Sequence, residues 1–235
     1  MKKLIEIISF IFLFVITFVL LIMFCDMIIE KVLLPQDWLF YEFGPISSLL
    51  IVPLLAVPVV LLSSHCVYLI KKKITSEAAD LFGFVGFWKA LGKWKAAFVL
   101  VYIVAVYFSF TNFTCVTNEK IVVVRPWDLN GREYVYSDVE KIETGFGNKS
   151  FSLLEHEDEG NFYYKITLDG KESVFHTPTV NPDIERYDDT YLELEEFDSA
   201  LRKFGIPKKS SIEGYEKCDF DKIYVDRFLR IINRG

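Results

Sequence analysis

Long apolar runs dominate the first half of the chain, and three of them reach the length of a membrane span. They cover residues 4–25, 46–70 and 96–116, and the second and third contain no Asp, Glu, Lys or Arg. A helix needs about 20 mostly apolar residues to cross the hydrocarbon core of a bilayer. The pattern therefore predicts three transmembrane helices within a membrane domain of residues 1–116.

Beyond residue 116 the pattern becomes the short alternation of β-strands. In residues 162–168, FYYKITL, apolar and polar positions alternate, as they do in a strand with one buried face. Asn130–Gly131 and Asp169–Gly170 are residue pairs that favour two-residue hairpin turns. A two-residue turn at the first pair would place Trp127 opposite Tyr134. Residues 117–235 are therefore predicted to contain about five to seven antiparallel strands.

Two amphipathic helices are predicted after the strands. The first has apolar residues at spacings of three and four, namely Leu194, Phe197, Leu201 and Phe204. Thr190 and Glu193 can form a capping box at its start, and Gly205 suits its C-terminal end. The second begins near Asp219 and has one apolar face, namely Phe220, Tyr224, Phe228 and Ile231. The predicted fold class is α+β, with three transmembrane helices followed by an antiparallel β domain and two C-terminal helices.

The balance of charge separates the two halves and predicts their orientation. Residues 1–116 contain 9 Lys and Arg against 7 Asp and Glu, whereas residues 117–235 contain 17 against 25, a net −8. The negative sign excludes nucleic acid as a partner of the second half. Six Lys lie between the second and third runs, and Lys-rich loops stay in the cytoplasm. We therefore expect a plasma (inner) membrane protein with a cytoplasmic N-terminus and an extracytoplasmic, acidic, water-soluble C-terminal domain.

The loop of residues 71–95 has a composition that suits the membrane surface. Its aromatic residues alternate with Lys in the stretch GFWKALGKWK. A basic amphipathic helix of this kind lies at the headgroup level, so membrane lipid is an expected partner. A stripe of small residues on the same helix leaves a second possibility open, which is packing against a spanning helix.

The start of the soluble domain resembles bacterial pleckstrin-homology-like domains. Those domains often follow membrane spans and begin with a Thr-Asn/Asp-x-x-Ile-x-Val strand, a hairpin and a Tyr-x-Asp-Ile/Val-x-x-Ile strand. The matching positions lie within residues 115–143 and are Thr117, Asn118, Ile121, Val123, Tyr136, Asp138, Val139 and Ile142. The resemblance implies a PH-like roll of strands closed by a C-terminal helix, which binds or scaffolds and performs no reaction. Only Arg125 and Arg132 flank the first hairpin loop, which disfavours a phosphoinositide site.

No motif in the sequence predicts catalysis or a cofactor. There is no P-loop, dinucleotide fingerprint, Gly-x-Ser-x-Gly or His-Glu-x-x-His, so we expect no enzyme, no cofactor and no small-molecule substrate. The acidic run 155–159, with His156 inside it, has ligands for a hard cation. It lacks the spacing of a calcium loop, and His65 and His176 form no zinc pair. No catalytic, cofactor-binding or metal-ligating residue is therefore predicted.

The four cysteines leave two interpretations open. Cys25 and Cys115 both fall at the outward ends of predicted spans, where oxidising surroundings would permit a disulfide. Membrane helices also use free Cys as a small apolar residue.

The sequence favours a multi-pass membrane protein with a non-catalytic binding or scaffolding domain and a protein partner. The alternative is a membrane immunity or resistance protein whose spans block a membrane-targeted toxin. A small transporter or channel subunit is disfavoured, because the spans have almost no polar residues to line a pathway. Residues 117–235 are expected to fold when expressed alone.

Overall fold

The computed structural model describes residues 2–75, 84–147, 159–176, 178–180 and 191–233. The chain forms two compact units. We name Met1–Leu33 with Leu50–Ser109 the membrane unit, and Leu34–Leu49 with Phe110–Gly235 the sheet unit. The segment between the first two apolar helices therefore belongs to the same unit as the C-terminal half of the chain.

The described residues form six α-helices, four of them in the apolar half. They are α1 (Lys2–Ile28), α2 (Pro45–Thr75), α3 (Phe84–Ala90), α4 (Lys95–Phe110), α5 (Leu192–Arg202) and α6 (Lys222–Asn233). Three helical segments are long and apolar enough to cross a membrane: Ile7–Leu33, Pro45–Ile70 and Gly92–Phe110. The three predicted apolar helices are confirmed. The predicted end of the third at residue 116 is wrong, because the chain turns at Thr111 and continues as a strand from Phe113.

In the membrane unit, α4 compensates for a proline in α2. Pro58 lies inside α2 and has no N–H, so the carbonyl of Leu54 four residues earlier lacks its usual helical donor. The hydroxyl of Tyr102 in α4 donates to that carbonyl at 2.6 Å. The α2 helix therefore keeps the proline without leaving a backbone oxygen unpaired in an apolar setting.

The described residues also form nine strands. They are β1 (Trp38–Phe43), β2 (Phe113–Thr117), β3 (Lys120–Arg125), β4 (Asp128–Val135), β5 (Lys141–Phe146), β6 (Phe162–Leu168), β7 (Lys171–Phe175), β8 (Thr179–Val180) and β9 (Lys208–Ser210). One sheet has the order β4-β3-β2-β1-β8, and the other has the order β7-β6-β5-β9. The first sheet is antiparallel throughout, and in the second β9 runs parallel to β5. The α+β class with an antiparallel sheet and C-terminal helices is confirmed.

Strand β1 comes from the segment between the first two apolar helices, which the sequence indicated only as a loop. It pairs with β2, with Tyr41 opposite Cys115 and Phe43 opposite Phe113. Its other edge pairs with β8. Phe40 is fully buried, and its ring lies 5.4 Å from that of Phe175. The strand is therefore an interior member of the first sheet and part of its core.

The core of the sheet unit lies among the two sheets, α5 and α6. Leu194, Phe197 and Leu201 of α5 are buried as predicted. In α6, Phe228 stacks on Phe162 of β6 with ring centroids 4.1 Å apart. The alternation in residues 162–168 is also confirmed, with buried and half-buried positions in turn.

One detail predicted for α5 is wrong, and another lies outside the described residues. Phe204 is 55% exposed rather than part of the buried face, because α5 ends at Arg202 and the chain turns away through Gly205 at φ 68°. Thr190, half of the predicted capping box, lies outside the described residues.

The first hairpin turn lies earlier in the chain than the sequence predicted. Arg125 pairs with Asp128, so Pro126–Trp127 form the two-residue turn. Asn130–Gly131 lie inside β4, and Tyr134 pairs with Ile121 instead of Trp127. The predicted Asn-Gly turn and the predicted aromatic pair are therefore wrong.

Gly131 has a different role from the one predicted. The pairing shifts between Val123 and Arg125, and Gly131 lies in this irregularity with φ 71°. A Cβ at Gly131 would lie 2.8 Å from Cγ1 of Val122. The position requires glycine because it lies in a β-bulge. A bulge of this kind, like a tight turn, needs a residue that adopts positive φ.

The second predicted hairpin is confirmed. Leu168 pairs with Lys171, so Asp169–Gly170 form a two-residue turn. Both turn residues have positive φ, 50° and 66°, as this type of turn requires.

Candidate binding surface

A polar cleft lies at the β9 edge of the second sheet. Its volume is about 280 Å³. Residues of β5, β6, β9 and the turn after β9 line it. Its polar members are Glu143, Thr144, Tyr163, Lys209, Ser210, Ser211 and Glu213. We name it the β5–β9 cleft.

The strand register determines which side chains reach the cleft. In the parallel pair, Glu143 lies opposite Lys209 and Thr144 lies opposite Ser210. The hydroxyl of Thr144 donates to that of Ser210 at 3.2 Å. A Cβ at Gly145 would lie 2.9 Å from the Tyr163 hydroxyl, so glycine at this position lets the tyrosine cross β5. The surface is therefore held by a strand pair rather than by a loose loop.

The charges of the cleft are mixed. A hydrogen bond from Lys141 lowers the pKa of Glu143, and the positive charges of Lys165 and Lys209 lower it further. Glu143 is therefore a stable anion beside the ammonium of Lys209. Carboxylates, an ammonium and hydroxyls in one cleft complement the backbone and charged side chains of a polypeptide better than an apolar small molecule.

A buried ion pair supports β9 from inside the domain. Nζ of Lys208 lies 2.6 Å from Oδ1 of Asp198 in α5, and it also donates to the carbonyl of Ile231 at 2.6 Å. The hydroxyl of Tyr164 donates to the same Asp198 oxygen at 3.0 Å. Burial, followed by the charge of Asp198, raises the pKa of Tyr164 well above its usual range, so this phenol remains a donor. No sequence pattern indicated this network, because its members lie on separate elements.

A second ionic cluster joins α5 to α6. Oε2 of Glu195 accepts from Nε of Arg227 at 3.1 Å and from Nη2 of Arg230 at 3.0 Å. Oε1 of Glu195 accepts from Nε of Arg230 at 3.0 Å. A carboxylate that bridges two guanidiniums fixes the angle between its helices, so we assign this cluster a structural role.

The ionisable residues considered in the sequence are dispersed in the structure. Residues 155–158 of the acidic run lie outside the described residues, whereas Glu159 pairs with Lys217. His65 lies in α2, and Nδ1 of buried His176 lies 3.2 Å from the Phe162 carbonyl. In the part of the chain that the structure describes, no three His, Cys, Asp or Glu residues are grouped as metal ligands.

All four cysteines belong to described ranges, and all are free thiols. The disulfide between Cys25 and Cys115 is therefore absent from this structure. Cys115 is fully buried in β2, and burial raises the pKa of its thiol to about 12. Its thiol is accordingly protonated and serves as a small apolar side chain.

The residues that resemble pleckstrin-homology-like domains build the turns around β3. Oγ1 of Thr117 accepts from the backbone N–H of Lys120 at 3.2 Å. The hydroxyl of Tyr136 donates to the Thr117 carbonyl at 2.5 Å, and Asp138 accepts from the N–H of Val135 at 2.9 Å. Burial, followed by the charge of Asp37, raises the pKa of Tyr136 to about 12, which keeps it a donor. Thr117, Tyr136 and Asp138 therefore hold the strands together.

Comparison with known proteins adds no family or fold relative. No protein-family model, no curated protein and no solved structure matches the chain. The candidate surface is therefore interpreted from its own geometry and charge.

Proposed function

We propose that this chain is a multi-pass membrane protein whose sheet unit is a non-catalytic binding module for a protein partner. The mixed polar lining of the β5–β9 cleft supports the proposal most directly. Among the described residues that line it there is no His or Cys, and one of its two carboxylates, Glu143, is held as an anion by neighbouring Lys residues. A general base with a lowered pKa is a weak catalyst near neutral pH, whereas a fixed anion is suited to recognition.

The partner segment that fits the cleft is polar and carries positive charge. Residues 117–235 have a net charge of −8, and Glu213 adds a carboxylate to the cleft beside Glu143, which is itself paired with Lys141. An acidic surface attracts basic segments over distances of about one Debye length, roughly 8 Å at physiological ionic strength. The support given to β9 by Lys208 lowers the ordering cost of binding, because the cleft is already formed.

Site-specific photocrosslinking in intact membranes tests this role. A photoreactive side chain at Lys209 is expected to give one protein adduct of defined mass. The control places it at Glu133, which is exposed on β4 of the other sheet and lines neither the cleft nor the groove beside Trp127. Reversing the charges of Glu143 and Glu213 to Lys should reduce the Lys209 adduct by about tenfold or more, since each 1.4 kcal/mol is a factor of ten in affinity. Equal adducts at both positions, or none at Lys209, would contradict the proposal.

We also propose that the sheet unit is a variant of the PH-like roll. Two successive meanders, β1–β4 and β5–β7, share one core, and α5 packs on that core. The variant differs in taking its first strand from between two apolar helices and in adding β9 and α6. An experimental structure in which β1 is absent from the first sheet would contradict this assignment.

The same proposal places the sheet unit outside the cytoplasm. Its support is the set of six Lys between the second and third apolar runs, which favours retention of that loop in the cytoplasm. Pairing of β1 with β2 is consistent with this topology, because two crossings between these strands return the chain to the same side.

Reporter fusions test the orientation. We expect alkaline phosphatase activity from a fusion after Gly235 and fluorescence of green fluorescent protein from a fusion after Thr75. Replacing Lys71, Lys72 and Lys73 with Gln should weaken both signals, since each Lys near a span resists translocation. As a control, replacing Lys209, Lys217 and Lys222 with Gln should leave both signals unchanged. Orientation depends on the Lys and Arg residues near the spans, and these three lie far from them in the sequence. Fluorescence after Gly235 would place the sheet unit in the cytoplasm.

A further inference from the structure

The tip of the β3–β4 hairpin exposes a tryptophan. Trp127 occupies the turn between Arg125 and Asp128, and it is 78% exposed to solvent. Leu129, just beyond the turn, is 49% exposed. An indole costs free energy when it is left in water, but at a membrane surface its apolar ring and polar N–H are both accommodated.

Asn112 links the positions where the chain leaves one apolar helix and enters another. The candidate span Gly92–Phe110 ends shortly before Asn112. The candidate span Pro45–Ile70 begins directly after Gly44, which is a hydrogen-bond partner of Asn112. Its carbonyl accepts from the N–H of Gly44 at 2.9 Å, and its side-chain amide donates to the hydroxyl of Ser47 at 3.2 Å. Asn112 therefore lies at the boundary of both spans. Because one residue advances the chain by at most about 3.6 Å, it cannot lie far from the membrane surface.

The hairpin tip is tied to this boundary. Nη1 of Arg125 donates to Oδ1 of Asn112 at 2.9 Å. Trp127 follows two residues later, in the turn itself. At the other end of the hairpin, Lys120 pairs with Val135. That end is separated from Asn112 by the length of β3.

We propose that the β3–β4 turn lies in the headgroup layer of the protein's own bilayer, with the Trp127 indole inserted and the guanidiniums of Arg125 and Arg132 facing lipid phosphates. This contact surface is separate from the β5–β9 cleft. It fixes the sheet unit against the membrane whether or not a partner occupies the cleft.

The charge around the turn indicates that the indole carries most of this contact. Arg125, Arg132 and Lys171 line a shallow groove beside Trp127 together with Asp128. Arg132 also lies 4.0 Å from Asp169 of the neighbouring hairpin. Three positive charges against two negative ones leave a small positive excess, so the turn suits zwitterionic lipid as well as anionic lipid. The contact should accordingly depend little on salt.

Lipid quenching of tryptophan fluorescence tests the proposal in the full-length protein. The protein is reconstituted in phosphatidylcholine vesicles with a minority of phosphatidylglycerol, with and without a lipid that carries a spin label on its headgroup. The emission of Trp127 is the difference between wild type and Trp127→Phe, so the other tryptophans stay in place. We expect this difference to be blue-shifted, and to be quenched several-fold more strongly by the headgroup label than by iodide in the water.

A matched control uses the far end of the same hairpin. Val135 is 54% exposed, and Trp127→Phe/Val135→Trp moves the indole to that end. Its difference emission, measured against Trp127→Phe, should be quenched by iodide and not by the headgroup label. Emission of Trp127 that is open to iodide and insensitive to the headgroup label would overturn the proposal. Equal headgroup quenching at both positions would overturn it too, because it would show no preference for the tip.

Discussion

Residues 112–235 expressed without residues 34–44 are expected to be unfolded, although they contain every other described strand of the sheet unit. This reverses the expectation from the sequence that residues 117–235 fold alone, because the sheet unit also includes Leu34–Leu49. The missing segment supplies β1, which pairs with β2 on one edge and with β8 on the other. It also supplies four buried apolar side chains, which are Leu34, Trp38, Phe40 and Tyr41. Burying one large apolar side chain contributes about 1.5–3 kcal/mol. Removing four takes away roughly as much as the 5–15 kcal/mol by which a whole domain is stable.

A linked domain provides the control for this prediction. Gly44 donates its N–H to the carbonyl of Asn112, so an Asn-Gly pair inserted between them would close a two-residue hairpin in place of residues 45–111. The circular dichroism spectrum of residues 34–44 joined in this way to residues 112–235 should show a cooperative thermal transition. Phe40→Ala in the linked domain should lower the free energy of unfolding by about 3–5 kcal/mol, because its ring fills the core. Folding of residues 112–235 alone would contradict the assigned role of β1.

Replacing Lys208 with Met is expected to destabilise the sheet unit by about 3–5 kcal/mol, the cost of breaking a buried ion pair. The side chain of Lys208 is 5% exposed and that of Asp198 is fully buried. Without the ammonium, the carboxylate keeps only the hydroxyl of Tyr164 among its described partners. Urea unfolding of the linked domain measures the change.

The double substitution Lys208→Met/Asp198→Asn separates the charge effect from loss of packing. It removes both charges and leaves an amide oxygen for Tyr164. Most of the lost stability should return, because a neutral pair needs no compensating ion in the core. If Lys208→Met and the double variant were equally unstable, the ion pair would have no special role. Lys120→Met, which breaks the exposed pair with Glu133, should change little.

The local patterns of the sequence were enough to predict much of the sheet unit. The alternation in residues 162–168 and the Asp169–Gly170 turn were predicted correctly, because both depend on residues close together in the chain. The apolar face of α5 was also correct as far as Leu201. The length of the apolar runs was sufficient to identify three helices.

Features that depend on distant residues were missed. Strand β1 pairs with β2 across an intervening apolar segment, and nothing within WLFYEF identifies its partner. The aromatic composition of that stretch was the available signal for a strand. The Asn130–Gly131 pair predicts a turn, but a bulge also needs glycine at positive φ, so the local sequence does not distinguish the two. Asp198 and Lys208 are ordinary polar residues in the sequence, and only the packing of α5 against β9 makes them a buried pair.

The β5–β9 cleft could not be predicted for the same reason. Its two neighbouring strands, β5 and β9, are more than 60 residues apart in the sequence, and they pair in parallel. The sequence predicted only antiparallel strands in this region. A binding role is nevertheless the interpretation that the sequence favours, because it contains no catalytic motif, and the β5–β9 cleft is the location that we propose for it.

Disulfide trapping between β1 and β2 in the full-length protein tests the central claim, that one strand from between the first two apolar helices completes the C-terminal domain. Tyr41 lies opposite Cys115, and cross-strand neighbours are about 4.5–5.5 Å apart at Cα, within the range of a disulfide. Tyr41→Cys is made with Cys25, Cys66 and Cys218 replaced by Ser. Oxidant is present while the protein folds, because the Cys115 thiol is buried and protonated afterwards, and cross-linked peptides are identified by mass spectrometry. A positive control places cysteines at the β6–β7 partners Lys165 and Val174, with Cys115→Ser. We expect a disulfide-linked peptide pair that joins positions 41 and 115 and is lost on reduction; a cross-link in the control but none between these two positions would contradict the account.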